Sequence, residues 1–227
     1  LALSCAARGS SLALSDVDEA GLAETARRAT DEGAREVRTD RLDVSDRSAF
    51  TAYAADVAAH FGTVNVVVNN AGVALSGDLA DLSFEDLDWI MGVNFWGVVH
   101  GTKAFLPHLV ASGDGHVVNI SSLFGLVSMP SQGAYNATKY AVRGLSEALR
   151  AEMLVAGHPV GVTVVHPGGI RTAIARNARA APGVDQAENA RLFDEQLARM
   201  DPADAAEVIV KGVLAGKARV LVGLDAH

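Results

Sequence analysis

Cysteine is nearly absent from this chain. Cys5 is the only one in 227 residues, so no internal disulfide can form, which agrees with a reducing, cytoplasmic setting. Read plainly, Cys5 is a small core residue of an Ala-rich helix. Proline is sparse and glycine is scattered singly. With no linker, repeat or low-complexity tract, a single domain is expected. No uninterrupted apolar run approaches the ~20 residues that a membrane-spanning helix needs. Positive charge is also short: 19 Lys and Arg face 27 Asp and Glu, a net charge of −8. Without a basic cluster, a nucleic-acid partner is excluded, and a small molecule fits better. His60, His100, His108, His116 and His166 show no metal-ligand spacing, so no metal is implied and surface or loop roles are their default.

What is present is regular. Nearly half the residues are apolar, enough for one α/β core. Short apolar runs alternate with helix-period segments from end to end, the pattern of βαβ units around a parallel sheet. Strands are expected at Leu12 to Ser15, Val37 to Val44, Val64 to Val68, Val117 to Ile120, Val160 to Val165 and Val220 to Val222. Helices are expected at Glu19 to Glu32, after a Ser45 cap, and from a Ser83/Asp86 capping pair to about Val110 with a bend near Gly92. Two more are expected, from Tyr135 to Val155, with Ala137, Tyr140, Ala141, Leu145, Ala148 and Leu149 as the apolar face, and from Pro202 to Leu214. Residues 170–200 have weaker periodicity, as expected of a mobile helical excursion over a site.

The strongest chemical signal lies between Asn119 and Lys139. Tyr135 and Lys139 stand at i, i+4 on one helical face. A cation beside a phenol lowers its pKa toward the operating pH and makes it usable as a general acid/base. Alone the pair is weak evidence. Ser122, thirteen residues earlier, ends a parallel strand on the side where open α/β sheets bind ligands. Asp16 ends the first strand, where a carboxylate can accept hydrogen bonds from an adenosine ribose and repel a 2′-phosphate. The competing reading of Asp16 is a cap for the next helix.

Asn69-Asn70-Ala71-Gly72, Asn94, Ser122, Tyr135-x-x-x-Lys139 and Pro167-Gly168, in this order, resemble the short-chain dehydrogenases/reductases along essentially the whole chain. The resemblance implies a doubly wound Rossmann-like fold and an oxidoreductase that moves a hydride between nicotinamide and a secondary alcohol or ketone. Tyr135 would then be the acid/base and Lys139 would hold the nicotinamide ribose. Ser122 would bind the substrate oxygen, and Asn94 would hold a water in a proton relay, its alternative being a surface-facing polar residue. Asp43 and Val44 would flank adenine, Asn70, Ala71 and Gly72 would line the adenosine, and Pro167, Gly168, Ile170 and Thr172 would lie at the nicotinamide end. Asp16, followed by Asp18 and Glu19 without a nearby Lys or Arg, favours NAD(H) over NADP(H).

Val73 to Leu82, Leu123 to Met129 and residues 170–200 are expected as pocket walls for a largely apolar substrate, with Met129 among the lining residues. The resemblance also implies association through the long helices, as a homodimer or homotetramer. Other readings are a nucleotide-sensing protein without turnover and an NAD-using epimerase or dehydratase. The family's T-G-x-x-x-G-x-G turn and the strand before it have no counterpart here. They are expected ahead of Leu1, with Leu1 to Arg8 as the end of the following helix, and loss of that strand would leave two unpaired sheet edges. The ending at Asp225-Ala226-His227 is likewise expected to fall short of the full C-terminus.

Overall fold

The computed structural model describes residues 1–223, so the expectation about Asp225 to His227 lies outside them. The elements run α1 (Ala2–Ala6), β1 (Ser11–Asp16), α2 (Glu19–Glu32), β2 (Glu36–Arg41), α3 (Arg47–Phe61), β3 (Val66–Asn69), β4 (Leu75–Ser76) and α4 (Phe84–Met91). A π turn at Gly92–Trp96 then leads into α5 (Gly97–Ser112), β5 (Gly115–Ile120), a 3₁₀ turn at Leu123–Gly125, α6 (Gly133–Ala156) and β6 (Val160–Pro167). The chain continues with β7 (Arg179–Ala180), α7 (Gln186–Leu192), a second π turn, α8 (Pro202–Leu214) and β8 (Arg219–Val222).

The strands are parallel throughout, in the orders β1-β2 and β3-β5-β6-β8, with β4 and β7 forming a small separate pair. No ladder joins β1 to β3 among the described residues. Val66 and Val68 of β3 accordingly stay 50% and 37% exposed. Both pieces nevertheless share one core: Leu42, Phe50, Ala54 and Val57 pack with Val67, Phe105, Val117, Leu149 and Val162 on one face of the sheet. On the other face Val118, Val165, Val220 and Val222 pack against Ala205 and Ile209 of α8. Helices on both faces make the α/β fold doubly wound and Rossmann-like.

Local chemistry moves several expected boundaries. β2 stops at Arg41, short of Val44, because the Asp43 carboxylate takes the Ser45 N–H and hydroxyl and offers the chain a turn instead of a ladder. Ser45, so engaged, does not cap α3. Asp46 does, accepting from Ser48 N and Ala49 N. Ser83 caps α4 as expected, through Asp86 N, and the bend near Gly92 is the π turn.

The face assigned to α6 also changes. Ala137, Tyr140 and Ala148 are exposed, and the sheet receives Tyr135, Thr138, Lys139, Val142, Ser146, Leu149 and Met153. The buried polar members of that stripe are satisfied: Thr138 donates to Tyr135 O, and Ser146 donates to Val142 O while accepting from Asn119. Burial of those two hydroxyls therefore costs little. Cys5 is half-buried at the surface of α1 rather than in the core.

Two glycines test this packing in opposite directions. A methyl on Gly101 of α5 would collide with Asn69 Oδ1 and lie 2.9 Å from Phe50 Cζ. Gly101→Ala is expected to lower stability by about 1–3 kcal/mol in urea unfolding. Gly144 of α6 is exposed and a methyl there meets nothing, so Gly144→Ala should raise stability by about 0.5–1 kcal/mol in the same assay.

Candidate active site

Ser122, two residues beyond the end of β5, opens the 3₁₀ turn with extended φ −166° and ψ 168°. Its Oγ accepts the Phe124 N–H at 3.1 Å and hydrogen-bonds the Tyr135 side chain. Tyr135 and Lys139 follow on the buried stripe of α6, 9% and 3% exposed. The Lys139 Nζ lies 5.4 Å from the Tyr135 ring centroid and donates to Ile120 O at 3.2 Å. The three residues therefore converge at the carboxyl end of β5. Around the Tyr135 ring pack Leu75, Ile90 and Ala134, with Val73, Leu82, Trp89, Phe124 and Ile174 at the edge.

Electrostatics within the protein chain differ from the expectation for the pair. Burial pushes the Tyr135 hydroxyl up to about 12, with the Ser122 hydrogen bond working against it. Burial alone brings the Lys139 amine down to about 8. The expected depression of Tyr135 does not appear in the protein chain by itself, because desolvation disfavours both charged forms and is the largest influence on each group. The buried phenol is therefore held in its neutral, protonated form.

Asn94 is fully buried, which excludes the surface-facing alternative. The π turn swings its amide inward, where it accepts from Val73 N at 2.8 Å and donates to Val73 O at 2.9 Å and to Thr138. A methyl on Gly72 would lie 3.4 Å from both Asn94 Oδ1 and Lys139 Nζ. Asn94 thus fixes the Gly72-Val73 backbone beside the amine.

At the other end of the cleft, Asp16 is exposed at the tip of β1 and accepts from Asp18 N. It does not cap α2. That role falls to Asp18, whose extended backbone immediately precedes the helix and whose carboxylate takes Gly21 N. A cation lies closer than the sequence suggested, since Arg41 is the β2 residue in register with Asp16 and pairs with Glu19 at 3.6 Å. Leu42 N donates to Asp16 O, bringing Asp43 and Val44 to the same tip. Asn70 and Ala71 are exposed and Gly72 half-buried after β3, and Pro167 and Gly168 end β6, with Gly168 N bonded to Val222 O. Thr172 is exposed, but the Ile170 side chain is buried among Val118 and Val165, so only its backbone can face a ligand.

These groups fit a dinucleotide. Lys139 Nζ uses one of its three donors on Ile120 O and keeps two for a diol. Asp16 uses one carboxylate oxygen on Asp18 N and keeps the other.

Several fixing residues escaped the sequence reading. Asn136 donates to Phe124 O and Val127 O and accepts from Met129 N, tying the 123–129 loop to α6. Ser121 donates to Lys139 O, and Asn69 donates to Thr102 and Asn119. Their signal was a polar residue on an otherwise apolar helix or strand face. Three histidines are not surface residues either: His166 is fully buried, His116 hydrogen-bonds Thr163 at 2.8 Å, and His100 meets Val44 O at 3.0 Å. Met129 is 51% exposed at the mouth. β4 pairs with β7, and Arg179 lies over the Trp89 ring at 3.9 Å, which brings residues 170–200 against the Val73 to Leu82 segment.

A parallel α/β sheet carrying a Ser-Tyr-Lys group at its carboxyl edge defines a nucleotide-dependent oxidoreductase class. Comparison with known proteins gives the family. The model of the short chain dehydrogenase family matches residues 1–183. The "Putative oxidoreductase SadH" of Mycobacterium tuberculosis is 60% identical over 226 residues, covering 100% of this chain and 82% of the relative. A short chain dehydrogenase/reductase from Burkholderia phymatum, solved in complex with NAD, superposes with a TM-score of 0.89 at 33% identity, covering 97% of this chain and 83% of that one. An alcohol dehydrogenase from Thermococcus sibiricus, complexed with 5-hydroxy-NADP, gives 0.76 at 25% identity, covering 97% and 89%. The chain belongs to the short-chain dehydrogenase/reductase family and is an oxidoreductase of that family. No helix among the described residues is long and apolar enough to cross a membrane.

The buried amine makes its own prediction. Below pH 8 Lys139 is protonated in folded and unfolded chains alike, and the desolvation penalty is fully present. Between about 8 and 10.5 the folded state sheds the proton first, and the penalty fades. Lys139→Met should therefore raise stability at pH 7 by on the order of 2 kcal/mol in urea unfolding, the gain shrinking toward pH 10.

Proposed function

We propose that this protein is an NAD(H)-dependent dehydrogenase acting on a largely apolar secondary alcohol or ketone, with Tyr135 as general acid/base. The observation that carries the reading is the convergence of Ser122, Tyr135 and Lys139 just beyond the carboxyl end of β5, with the Tyr135 ring set in an apolar cluster. The nicotinamide, when bound, would exchange a hydride with the carbinol carbon. Tyr135 gives its proton to the substrate oxygen during reduction and takes it back during oxidation. Ser122 Oγ hydrogen-bonds the same oxygen as charge develops there.

Lys139 holds the nicotinamide ribose with its two remaining donors, and Asn94 keeps the Gly72-Val73 backbone in place beside it, next to a relay water. Asp16 receives the adenosine ribose between Asp43-Val44 and Asn70-Ala71, while Pro167, Gly168, the Ile170 backbone and Thr172 border the nicotinamide. NAD(H) is favoured by the Asp16 carboxylate, and the Arg41-Glu19 pair keeps the nearest cation partly neutralised.

Residues 170–200, pinned by Arg179, close over the substrate side. The apolar ring around Tyr135 supports an apolar substrate. Exposed Trp96, Tyr140, Leu154 and Val155 on the long helices support assembly as a homodimer or homotetramer. The single Cys5 supports a cytoplasmic setting.

The test follows NADH absorbance over a panel of secondary alcohols and ketones. Tyr135→Phe should lower kcat by at least about 10²-fold while leaving the melting temperature within a few degrees, since proton transfer supplies that much. Full activity in Tyr135→Phe rejects the mechanism, and preference for charged sugars rejects the substrate class. Asp16→Ala should weaken NAD⁺ binding about tenfold, the effect of losing a charged hydrogen bond, and narrow the discrimination against NADP⁺. Calorimetric titration with both nucleotides checks it.

A further inference from the structure

His166 is the one fully buried histidine among the described residues and takes no part in the chemistry above. It occupies β6 directly before Pro167, with Nδ1 2.8 Å from the Ser122 carbonyl oxygen. A carbonyl only accepts, so Nδ1 carries the proton and Nε2 bears a lone pair. That Nε2 is buried and has no hydrogen-bond partner. Burial lowers the ring's pKa and keeps it neutral. The nearest charges, Arg143, Glu147 and Arg219, are paired with one another. An apolar side chain would fill this place without leaving an acceptor unpaired, so packing alone does not account for a histidine.

Its one bond goes to the residue whose direction matters most. The Ser122 carbonyl takes both the Gly125 N–H, at 3.0 Å, and the His166 Nδ1–H. The Ser122 Oγ on the same residue takes Phe124 N and reaches Tyr135. We propose that His166 is a positioning residue that clamps the Ser122 backbone so that Oγ stays aimed at the Tyr135 hydroxyl. It also locks the Ser122 turn to the Pro167-Gly168 turn, so that the substrate-oxygen site and the nicotinamide edge move as one. The proposal rests on the dehydrogenase reading of the same site.

His166→Leu removes the clamp and the orphaned acceptor together. His166→Asn restores an N–H donor close to the position of Nδ1. Both variants are compared with wild type by NADH kinetics on the best substrate of the panel, thermal unfolding, and ¹⁵N-histidine NMR of the unsubstituted chain. His166→Leu should fold with an unchanged or higher melting temperature and lose about 10- to 100-fold in kcat with KM little changed, the size expected of a displaced catalytic group. His166→Asn should recover most of that loss. In the spectrum at neutral pH, one histidine should show a protonated Nδ1 and a bare Nε2.

Wild-type kcat in His166→Leu overturns the clamp and leaves the dehydrogenase reading standing. Equal impairment of Leu and Asn variants with lowered melting temperatures assigns His166 a purely structural role and also overturns it. So does a protonated Nε2. Absence of turnover by wild type on the whole panel, with tautomer and folding as expected, overturns the dehydrogenase reading and the proposal with it.

Discussion

A lysine amine taken out of water with a single backbone carbonyl for a partner is the constraint on which the rest of this structure depends. Among the described residues Lys139 has no carboxylate to pair with, and burial brings it down to about 8 while pushing its neighbour Tyr135 up to about 12. Keeping two such groups side by side costs stability at neutral pH, and the surrounding chain is arranged to hold them there. Ser121 grips the Lys139 carbonyl, Asn136 ties down the loop beyond Ser122, and Asn94 fixes the backbone facing the amine. These are buried polar bonds made in full, which is what lets an otherwise apolar core tolerate them.

The same logic explains why polar side chains recur on faces that periodicity marks as core. Asn69, Thr102, Asn119 and Ser146 form a continuous hydrogen-bonded row from β3 through β5 to α6. Gly101 leaves room for Asn69 and Phe50. Such a row aligns strand ends with helix α6 more sharply than apolar contact can, because hydrogen bonds are directional and hydrophobic contact is not. The carboxyl edge of the sheet, where Ser122 lies, inherits that alignment.

How much of this was legible in the linear chain differs from element to element. The bounds of α2 and α8 were readable residue for residue, since strong caps and apolar stripes mark them locally. The end of β2 and the cap of α3 were not, because Asp43 and Asp46 divide the work between them in a way that composition does not distinguish. On α6 two apolar stripes competed, and the stripe facing the sheet turned out to be the one carrying Thr138, Lys139 and Ser146. No propensity scale would choose it, since the choice rests on partners 18 to 44 residues away.

The sequence alone determined the alternation of strands and helices and the family, and it singled out Ser122, Tyr135 and Lys139 as the candidate group, because spacing and residue type are local properties. Tertiary structure alone decided the electrostatics: that burial raises Tyr135 against its Ser122 hydrogen bond, that Asn94 faces inward, and that Arg41 stands beside Asp16. It also revealed His166 behind Ser122. A pKa depends on how much water and which charges surround a group, and those surroundings are assembled by segments far apart in the chain. Tyr135 and Lys139 are four residues apart, yet what each can do is set by residues they meet only after folding.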